Sequence, residues 1–430
     1  MKVLVTGNGG REHALAWRAA RSPEVEIVYV APGNAGTALD QGLENVDIDV
    51  MDFDRQIRFV QENGIDLTII GPEAPLVAGV VDRFREAGLA CLGPGGAAAQ
   101  LEGSKTFTKH FLARHKIPTA SFGSFDNVDE AIRFATSMTP PIVIKADGLA
   151  AGKGVVIAGS QEEAAATITG MMNDKALGDA GARVVVEEFL VGEEASFIVI
   201  ADGEHFVPFA SSQDHKAAYD GDLGPNTGGM GAYSPAAVVT AQVHQKIEDE
   251  VIKPTIRGMA QEGRPFTGFL YAGLMIDTNG DPYVIEFNCR FGDPETQPLM
   301  LRMKSDLALL CLDAIQGKLA GQEIVFDDRV ALTVVMAAGG YPGPYDKADE
   351  ITGLEGAGNG EGKVFHAGTR LEDGKVLTDG GRVLGVTAMG ATVSAAKDNA
   401  YRMVDKIQYK NRQFRTDIGY RAVEREVKDS

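Results

Sequence analysis

Cysteine, excess positive charge and long apolar runs are all scarce in this chain of 430 residues. Its three cysteines, Cys91, Cys289 and Cys311, are odd in number and far apart, so they predict neither a disulfide framework nor a Cys-x-x-Cys metal site, and they fit a reducing compartment. The net charge of −19, from 41 Lys+Arg and 60 Asp+Glu, argues against a nucleic-acid or membrane-surface partner. Because no apolar run reaches the roughly 18 residues of a membrane span, and no signal-peptide hydrophobic segment follows the first residues, we expect a cytoplasmic protein.

Length and hydrophobic pattern together predict a multidomain protein with α/β and α+β parts, because 430 residues are too many for one core. Residues 1–103 alternate short apolar strands with helices, which is typical of a doubly wound parallel α/β domain. Residues 104–326 favour α+β structure with antiparallel hairpins, one of them closed by the Asn279-Gly280 turn. Residues 327–430 predict a small α+β domain, in which the glycine-rich turn at 378–384 indicates a further hairpin.

The glycines of GNGGREH, residues 7–13, lie between the first predicted strand and a helix. Glycines let the backbone approach an anion, and a helix N-terminus offers free N–H groups and a positive dipole end. The dinucleotide-binding fingerprint fails here, because Glu12 stands where the third glycine belongs and Ala31 begins the segment where an acidic residue is expected. A phosphate site without a nicotinamide is therefore favoured, and a strand–helix turn with no ligand is the alternative.

Two lysines and a glycine-rich loop form the second candidate site. Lys145 ends an apolar strand and would project from a fixed place, as a lysine that clamps nucleotide phosphates must. Lys105 and the 148–154 loop, with Lys153, could add further donors over the phosphates. The loop is not a Walker A sequence, because Gly154 stands where Ser or Thr is required, and a solvated hairpin tip is the alternative.

The segment EEFLVGEE, residues 187–194, ends a predicted strand with carboxylates around an apolar pair. Backbone groups between Glu188 and Leu190 could read an adenine edge, while a glutamate takes the ribose hydroxyls. A solvated charged face is the alternative.

The strongest motif is IEFNCRFGDPE, residues 285–295. Strand alternation predicts Glu286, Asn288 and Arg290 on one face, with Ile285 and the other intervening residues on the opposite face. A carboxylate and an amide oxygen are hard ligands suited to Mg²⁺, which is held by few protein groups together with phosphates. Arg290 beside them can stabilise a phosphoryl group in transfer or an acyl phosphate.

A long loop, residues 211–235, is rich in glycine and hydrogen-bonding groups, which is typical of a functional loop. It could recognise a small zwitterion, with Asp214 as the candidate partner of the ammonium group. His215 is not favoured as a metal ligand, because no second histidine stands at ligand spacing.

Taken together, the motifs GNGGREHAL, GPEAPL, EGSK, IKADGLAAGKGV, EEFLVGEEASF, QDHK, GPNTGGMGAYSP and IEFNCRFGDPETQ resemble those of the glycinamide ribonucleotide synthetase family of ATP-grasp ligases, and the resemblance extends from residue 1 to the tail at 419–421. It implies ligation of glycine to 5-phosphoribosylamine in purine biosynthesis, with ATP giving ADP and phosphate through a glycyl phosphate. ATP and Mg²⁺, or Mn²⁺ in its place, are the implied cofactors, small molecules are the only implied partners, and we expect a monomer. The alternatives are an ATP-grasp ligase for another carboxylate or amine, a nicotinamide oxidoreductase and a nucleotide-sensing protein without turnover.

Residues and resemblance together give the expected site. The expected catalytic residues are Arg290 and Lys145. The expected nucleotide-binding residues are Lys105, Lys145, Gly152, Lys153, Gly154, Glu187, Glu188, Phe189, Leu190 and Glu194, with Glu193 as the alternative to Glu194 at the ribose. The expected substrate-binding residues are Gly9, Gly10, Arg11, Glu73, Asp214, Asn226, Gly228, Arg290 and Glu295, and the expected metal ligands are Glu286 and Asn288.

The resemblance also implies an arrangement of the three regions. Residues 104–326 form the ATP-grasp region, with a lid subdomain at about 122–192, and residues 327–430 close the cleft so that water cannot hydrolyse the acyl phosphate. Leu274 and Met275 stand where many ATP-grasp enzymes carry another metal carboxylate, so the number of metal ions stays open.

Overall fold

A five-stranded parallel sheet organises the N-terminal region of the computed structural model, which describes residues 1–149, 154–173, 178–358 and 361–429. The sheet order is β3-β2-β1-β4-β5, as predicted for a doubly wound domain, and the central strands are buried because helices cover both faces. The strands are β1 (Lys2–Gly7), β2 (Ile27–Pro32), β3 (Leu43–Asn45), β4 (Leu67–Ile70) and β5 (Cys91–Leu92). The helices are α1 (Gly10–Ala19), α2 (Ala35–Leu39), α3 (Phe53–Asn63), α4 (Glu73–Val77), α5 (Val80–Glu86) and α6 (Gln100–Gly103).

An antiparallel sheet of order β6-β9-β7-β8 follows, and it contains the predicted hairpin around the lysine-bearing strand. Its strands are β6 (Phe122–Phe125), β7 (Ile142–Ala146), β8 (Val155–Ala158) and β9 (Val184–Glu188), with helices α7 (Lys105–Arg114), α8 (Val128–Thr136) and α9 (Gln161–Met172). Alternate residues of β7 face opposite sides: Ile142 and Ile144 pack in the core with α8 and α9, whereas Val143 and Lys145 line cavities.

A second antiparallel sheet of order β11-β10-β16-β17 carries the strongest sequence motif. Its strands are β10 (Glu193–Asp202), β11 (Phe206–Pro208), β16 (Thr267–Ile276) and β17 (Pro282–Asn288). The helices of this part are α10 (Ala241–Ile247), α11 (Lys253–Gln261), α12 (Thr296–Arg302) and α13 (Leu307–Ile315), with a π-helical turn at Glu248–Ile252 between α10 and α11. The β16–β17 pair confirms the hairpin predicted from Asn279-Gly280.

A β-bulge in β17 corrects one prediction about this strand. Gly273 pairs with Glu286 and Leu274 with Val284, so Ile285 is the extra residue between them. The simple alternation predicted for this strand is therefore wrong at Ile285, which lines the same cleft as Glu286 instead of the opposite face.

The last large sheet joins strands from two parts of the chain in the order β12-β15-β18-β22-β19. Its strands are β12 (Gln213–Asp214), β15 (Gly231–Ser234), β18 (Val330–Ala337), β19 (Gly362–His366) and β22 (Arg382–Gly390), packed against α14 (Val393–Val404), while α15 (Tyr420–Asp429) ends the described chain. Between β12 and β15 lies the hairpin of β13 (Ala217–Tyr219) and β14 (Leu223–Asn226).

The hairpin predicted at 378–384 is wrong. The strand β21 (Lys375–Thr378) pairs with β20 (Thr369–Glu372), whereas β22 pairs with β18 and β19. The glycines at 380 and 381 therefore connect two sheets, because the chain crosses from the small ribbon into the large sheet at this turn. Across the described residues, no helix combines the length and the apolar character needed to cross a membrane.

Candidate active site

A cavity of about 440 Å³ lies between helices of the N-terminal region, both antiparallel sheets and the last sheet, and a smaller one of about 180 Å³ adjoins it. The two share several lining residues, among them Lys145, Glu187 and Glu286. Of the predicted site residues that the structure describes, all line one or both cavities except Gly9, Gly10 and Glu193, the alternative to Glu194, which instead pairs with Arg425 and Gln213. The predicted Gly152 and Lys153 lie outside the described residues.

Two lysines pair with the buried carboxylate of Glu187, and a third lies beside the same cavity. Its Oε2 lies 3.2 Å from Lys145 Nζ and 2.9 Å from Lys109 Nζ. Lys145 also donates to the carbonyl of Ile285 at 3.0 Å, and Lys105 donates to the carbonyl of Gly148 at 3.1 Å. The predicted Lys105 and Lys145 therefore lie beside one cavity, and the structure brings Lys109 to the same wall.

Lys109 is a cavity residue that the sequence interpretation missed. It lies four residues after Lys105 in α7, and this spacing puts both on one helix face, so the signal was present in the sequence. Burial lowers the pKa of Lys109 to about 8, although the charge of Glu187 acts in the opposite direction.

The smaller cavity has an apolar lining and a polar rim, as an adenosine site requires. The apolar lining residues are Ala120, Val143, Val155, Ile157, Phe189, Leu190, Met275 and Ile285. Glu188 and Glu194 lie at the same cavity, and so does Asn226, which was predicted for the substrate and instead lies with the nucleotide candidates.

The strand β17 presents Glu286 and Asn288 to the larger cavity. Within the described part of the chain, neither side chain makes a hydrogen bond to another residue, and the nearest cation to Glu286 is Lys216, at 3.9 Å. Burial would raise the pKa of Glu286, but Lys216 and two further lysines bring it below its ordinary value, so the carboxylate is charged.

The side-chain oxygens of Glu286 and Asn288 are suitable ligands for a hard divalent cation. Among the described residues, no three Asp, Glu, His or Cys side chains form a group that could hold a metal on their own. This donor set suits Mg²⁺, which completes its coordination with water and phosphate oxygens.

Arg290 is fixed beside this pair by two carboxylates. Its Nη2 lies 3.0 Å from Glu102 Oε1, its Nε donates to Glu73 Oε2 at 3.3 Å, and its Nη1 donates to the carbonyl of Phe291 at 3.1 Å. Burial alone would lower the pKa of Arg290, but Glu102 and Glu73 raise it above its ordinary value. Glu102 was not predicted, because nothing in its local sequence distinguishes it from other helical glutamates.

A cluster of carboxyl groups, with Asp214 at its centre, lies at the larger cavity. Burial raises the pKa of Asp214 to about 8, and the neighbouring carboxylates of Glu295 and Glu194 act in the same direction, against the charge of Lys216. Glu295 Oε1 accepts a hydrogen bond from Ser196 Oγ at 3.1 Å. This region of excess negative charge suits a cationic ligand group such as an ammonium.

Lys216 stands between the two cavities and was also missed. Its Nζ lies 2.9 Å from Glu194 Oε2, and it lines both cavities. A single lysine in a loop has no spacing signal, so only the fold reveals its place.

The N-terminal glycines contribute less to the cavity than expected. The N–H of Gly9 donates to Glu12 Oε2 at 2.7 Å, closing the capping box of α1. A Cβ on Gly10 would lie 2.5 Å from Gln297 Nε2, so this helix start is closely packed. Of this motif only Arg11 lines the larger cavity, where its guanidinium pairs with Glu12.

The C-terminal region adds Arg382 and Tyr341 to the far end of the larger cavity. Arg382 Nη1 donates to the carbonyls of Gly228 at 2.7 Å and Asp293 at 2.5 Å, and its Nη2 lies 3.3 Å from Asp293 Oδ2. Tyr341 Oη accepts the N–H of Gly228 at 3.3 Å. Neither residue could be found from sequence, because both reach the cavity only through contacts between distant parts of the chain.

Comparisons with known proteins agree with this geometry. Family models of phosphoribosylglycinamide synthetase match along the chain: the N domain at residues 1–102, the ATP-grasp (A) domain at 103–296 and the C domain at 331–421. A phosphoribosylamine–glycine ligase of Escherichia coli strain K12 is 62% identical over 427 residues, covering 99% of this chain and 100% of that protein. One of Pseudomonas aeruginosa is 60% identical over 430 residues and covers 100% of both.

Solved structures give the same picture. The crystal structure of phosphoribosylamine–glycine ligase from Thermotoga maritima has a TM-score of 0.86 at 34% identity, covering 97% of this chain and 100% of that one. The biotin carboxylase domain of Hydrogenobacter thermophilus 2-oxoglutarate carboxylase shares the fold alone, with a TM-score of 0.73 at 16% identity, and covers 96% of this chain and 91% of that one. From its full-length relatives and from the cavity that its three regions build, the chain belongs to the phosphoribosylamine–glycine ligase (phosphoribosylglycinamide synthetase) family.

Proposed function

We propose that the chain joins glycine to 5-phosphoribosylamine to give glycinamide ribonucleotide, while ATP becomes ADP and phosphate, through a glycyl phosphate. The observation that carries this proposal is the edge of β17 and the turn after it, where Glu286, Asn288 and Arg290 face one cavity opposite buried lysines. Phosphoryl transfer to a carboxylate needs this combination of charge-neutralising groups.

ATP fits the two cavities in one orientation. The adenine takes the apolar smaller cavity, where the backbone of 187–190 offers hydrogen bonds and Glu194 reaches the ribose. The phosphates then extend towards Lys105, Lys145 and Lys216 in the larger cavity, with Gly152, Lys153 and Gly154 as the remaining phosphate-binding proposals.

The metal proposal rests on Glu286 and Asn288, whose side-chain oxygens accept no hydrogen bond within the described residues; Glu286 has only the ion pair with Lys216, at 3.9 Å. A divalent cation there, which we propose to be Mg²⁺ with Mn²⁺ as a substitute, would supply positive charge against the phosphates of ATP. The protein's part is to hold both oxygen ligands on one rigid strand beside the phosphate-facing lysines.

Glycine binds between the cluster of carboxyl groups around Asp214 and Arg290 in this proposal. The buried carboxylates of Asp214 and Glu295 receive the ammonium group, and its charge favours the ionised form of Asp214. The glycine carboxylate then faces Arg290, so one carboxylate oxygen can attack the γ-phosphorus while the P–O bond to ADP breaks. Arg290 stabilises the charge of the resulting acyl phosphate.

The acceptor amine enters from the far end of the larger cavity, near Arg11, Glu73, Gly228 and Arg382. Its nitrogen attacks the acyl carbon, the C–N bond forms, and phosphate leaves with the oxygen that glycine contributed, while the nitrogen loses one proton to the phosphate or to solvent. The start of α1 at Gly9 and Gly10 immediately precedes Arg11, and the N–H of Gly9 is already bound to Glu12. We therefore propose that this helix start acts on the substrate phosphate through its dipole end rather than through the N–H of Gly9.

We also propose that residues 1–103, 104–326 and 327–430 act as the acceptor-binding, ATP-grasp and closing parts, with the lid at about 122–192. All three contribute described residues to one cavity, which supports a monomer as the active unit. The three cysteines are buried and unpaired, which supports a cytoplasmic location.

The test is an ADP-release assay with freshly made phosphoribosylamine. We expect release only when glycine and phosphoribosylamine are both present. Equal release with another amino acid or amine would favour the second candidate, an ATP-grasp ligase for a different pair, and release without either substrate would contradict ligation.

A further inference from the structure

The residues on both sides of Lys216 are held by one distant segment. His215 Nε2 accepts the N–H of Gly419 at 3.0 Å, and the carbonyl of Ala217 accepts from Arg415 Nη1 at 3.2 Å. We call residues 415–421 the anchor segment. Burial lowers the pKa of His215 to about 4, so its ring is neutral and can accept this hydrogen bond.

The anchor segment also holds the tip of the β13–β14 hairpin, which follows Lys216. Asp220 Oδ1 accepts the N–H of Thr416 at 2.8 Å, and Asp417 Oδ2 accepts the N–H of Gly221 at 2.8 Å. Asp222 Oδ1 lies 2.9 Å from Arg415 Nη1. The turn between β13 and β14 is therefore held to the anchor segment by hydrogen bonds and an ion pair that involve carboxylate groups.

The base of the same hairpin is part of the nucleotide cavities. Thr227 donates its backbone N–H to the carbonyl of Lys216 at 2.7 Å, which closes the hairpin beneath the lysine. Asn226 and Thr227 line the smaller cavity together with Lys216. A shift of the hairpin would therefore move three cavity residues at once.

Arg415 is the centre of this arrangement, and it is only 1% exposed. Its Nε and Nη2 bind the two oxygens of Asp417 at 2.7 and 2.8 Å, which leaves Nη1 for Asp222 and Ala217. A buried guanidinium with this many partners has one orientation, because any other would leave a charge unpaired.

We infer that Arg415 is a positioning residue that fixes the position of Lys216 between the larger and the smaller cavity. A contact serving stability alone could lie anywhere in the last sheet, whereas Arg415 binds the carbonyl of Ala217, the residue directly after the lysine. Gly419 of the same segment binds His215, the residue directly before it. Lys216 itself lies between Glu194 and Glu286. The inference rests on the proposed function, since it assigns Lys216 to the ATP phosphates.

The test compares Arg415→Met and Arg415→Lys with Ile407→Val, a truncation in the core of the same region. We expect Arg415→Met to raise the KM for ATP by about 10- to 100-fold, the usual effect of losing a residue that orients a ligand-binding group. Arg415→Lys should recover part of the loss, and the KM for glycine should change by less than about twofold in all three variants. Ile407→Val should lower the melting temperature without changing the KM for ATP.

A double variant separates positioning from plain destabilisation. If Arg415 acts through Lys216, then Lys216→Met combined with Arg415→Met should be no worse than Lys216→Met alone, because the effects of coupled residues do not add. Additive losses, or a KM for ATP that matches the Ile407→Val control, would overturn the inference. Should Arg415→Met fail to fold, Asp222→Asn removes a charged partner and tests the same contact. A wild-type chain that releases no ADP with both substrates would instead overturn the proposed function.

Discussion

Replacing Arg290 by lysine tests the role of the planar guanidinium. The side chain uses one N–H towards Glu102, one towards Glu73 and one towards the carbonyl of Phe291. A guanidinium has five N–H donors, so two remain for a ligand. A lysine ammonium is a single point of charge that can satisfy one of the two carboxylates, and it then has no fixed donor for the acyl phosphate.

The expected decrease in kcat can be calculated because the lysine variant lacks one fixed hydrogen-bond donor to the acyl phosphate. Removing one preorganised donor from a transition-state site costs about 2.7–4 kcal/mol, which is about 10²- to 10³-fold in kcat. Because this hydrogen bond is strongest in the transition state, the KM for ATP should change far less than kcat.

The assay is ADP release at saturating glycine and phosphoribosylamine. Arg329→Lys is the matched control, because Arg329 also pairs with two carboxylates, Asp327 and Glu361, but lies outside both cavities. This control should retain wild-type kcat. A kcat of Arg290→Lys within about twofold of wild type would refute the assignment.

Further predictions concern the metal, the buried lysine and acid stability. Glu286→Ala should lower turnover at ordinary Mg²⁺ by about 100-fold or more with an unchanged circular dichroism spectrum, and near-normal turnover would contradict the metal assignment. Lys109→Met should raise the KM for ATP by about tenfold, because Glu187 then pairs with Lys145 alone and draws it from the phosphates, while Lys109→Arg should restore most of the loss. Burial lowers the pKa of His366 from 6.5 to about 3. As the pH falls, the imidazole is therefore protonated in the unfolded chain before it is protonated in the folded one. The contribution of His366 to the free energy of unfolding is then complete above pH 6.5 and decreases below it. In urea unfolding, His366 should account for a decrease of about 2 kcal/mol in the free energy of unfolding between pH 7 and pH 5. The decrease measured for His366→Gln over the same pH range should be smaller by about 2 kcal/mol.

The parts of the fold with local signals were predictable. Apolar runs ended by glycine or proline identified the strands of the parallel sheet, and Asn279-Gly280 located the β16–β17 hairpin. The pair Glu286 and Asn288 was found because strand alternation holds over these two residues, which follow the bulge. Local backbone preference decides all of these features.

The remaining features depend on contacts between distant residues. The bulge at Ile285 depends on the register with β16. The direction of the chain after residue 378 depends on the pairing of β21 with β20 and of β22 with β18. Neither feature has a signal in its local sequence. Lys216 and Arg382 reach the cavity only after separate regions dock. Lys109 differs, because its spacing from Lys105 in one helix was visible in the sequence.

The central claim is that the carboxylate of glycine takes the phosphoryl group of ATP, and isotope transfer tests it most directly. Glycine labelled with ¹⁸O in its carboxylate is turned over with ATP and phosphoribosylamine, and the released phosphate is analysed by mass spectrometry. Because the acyl phosphate breaks at its acyl carbon, each phosphate should carry one labelled oxygen, with the other kept in the amide. Phosphate without label, formed at the same rate as the amide, would contradict the account.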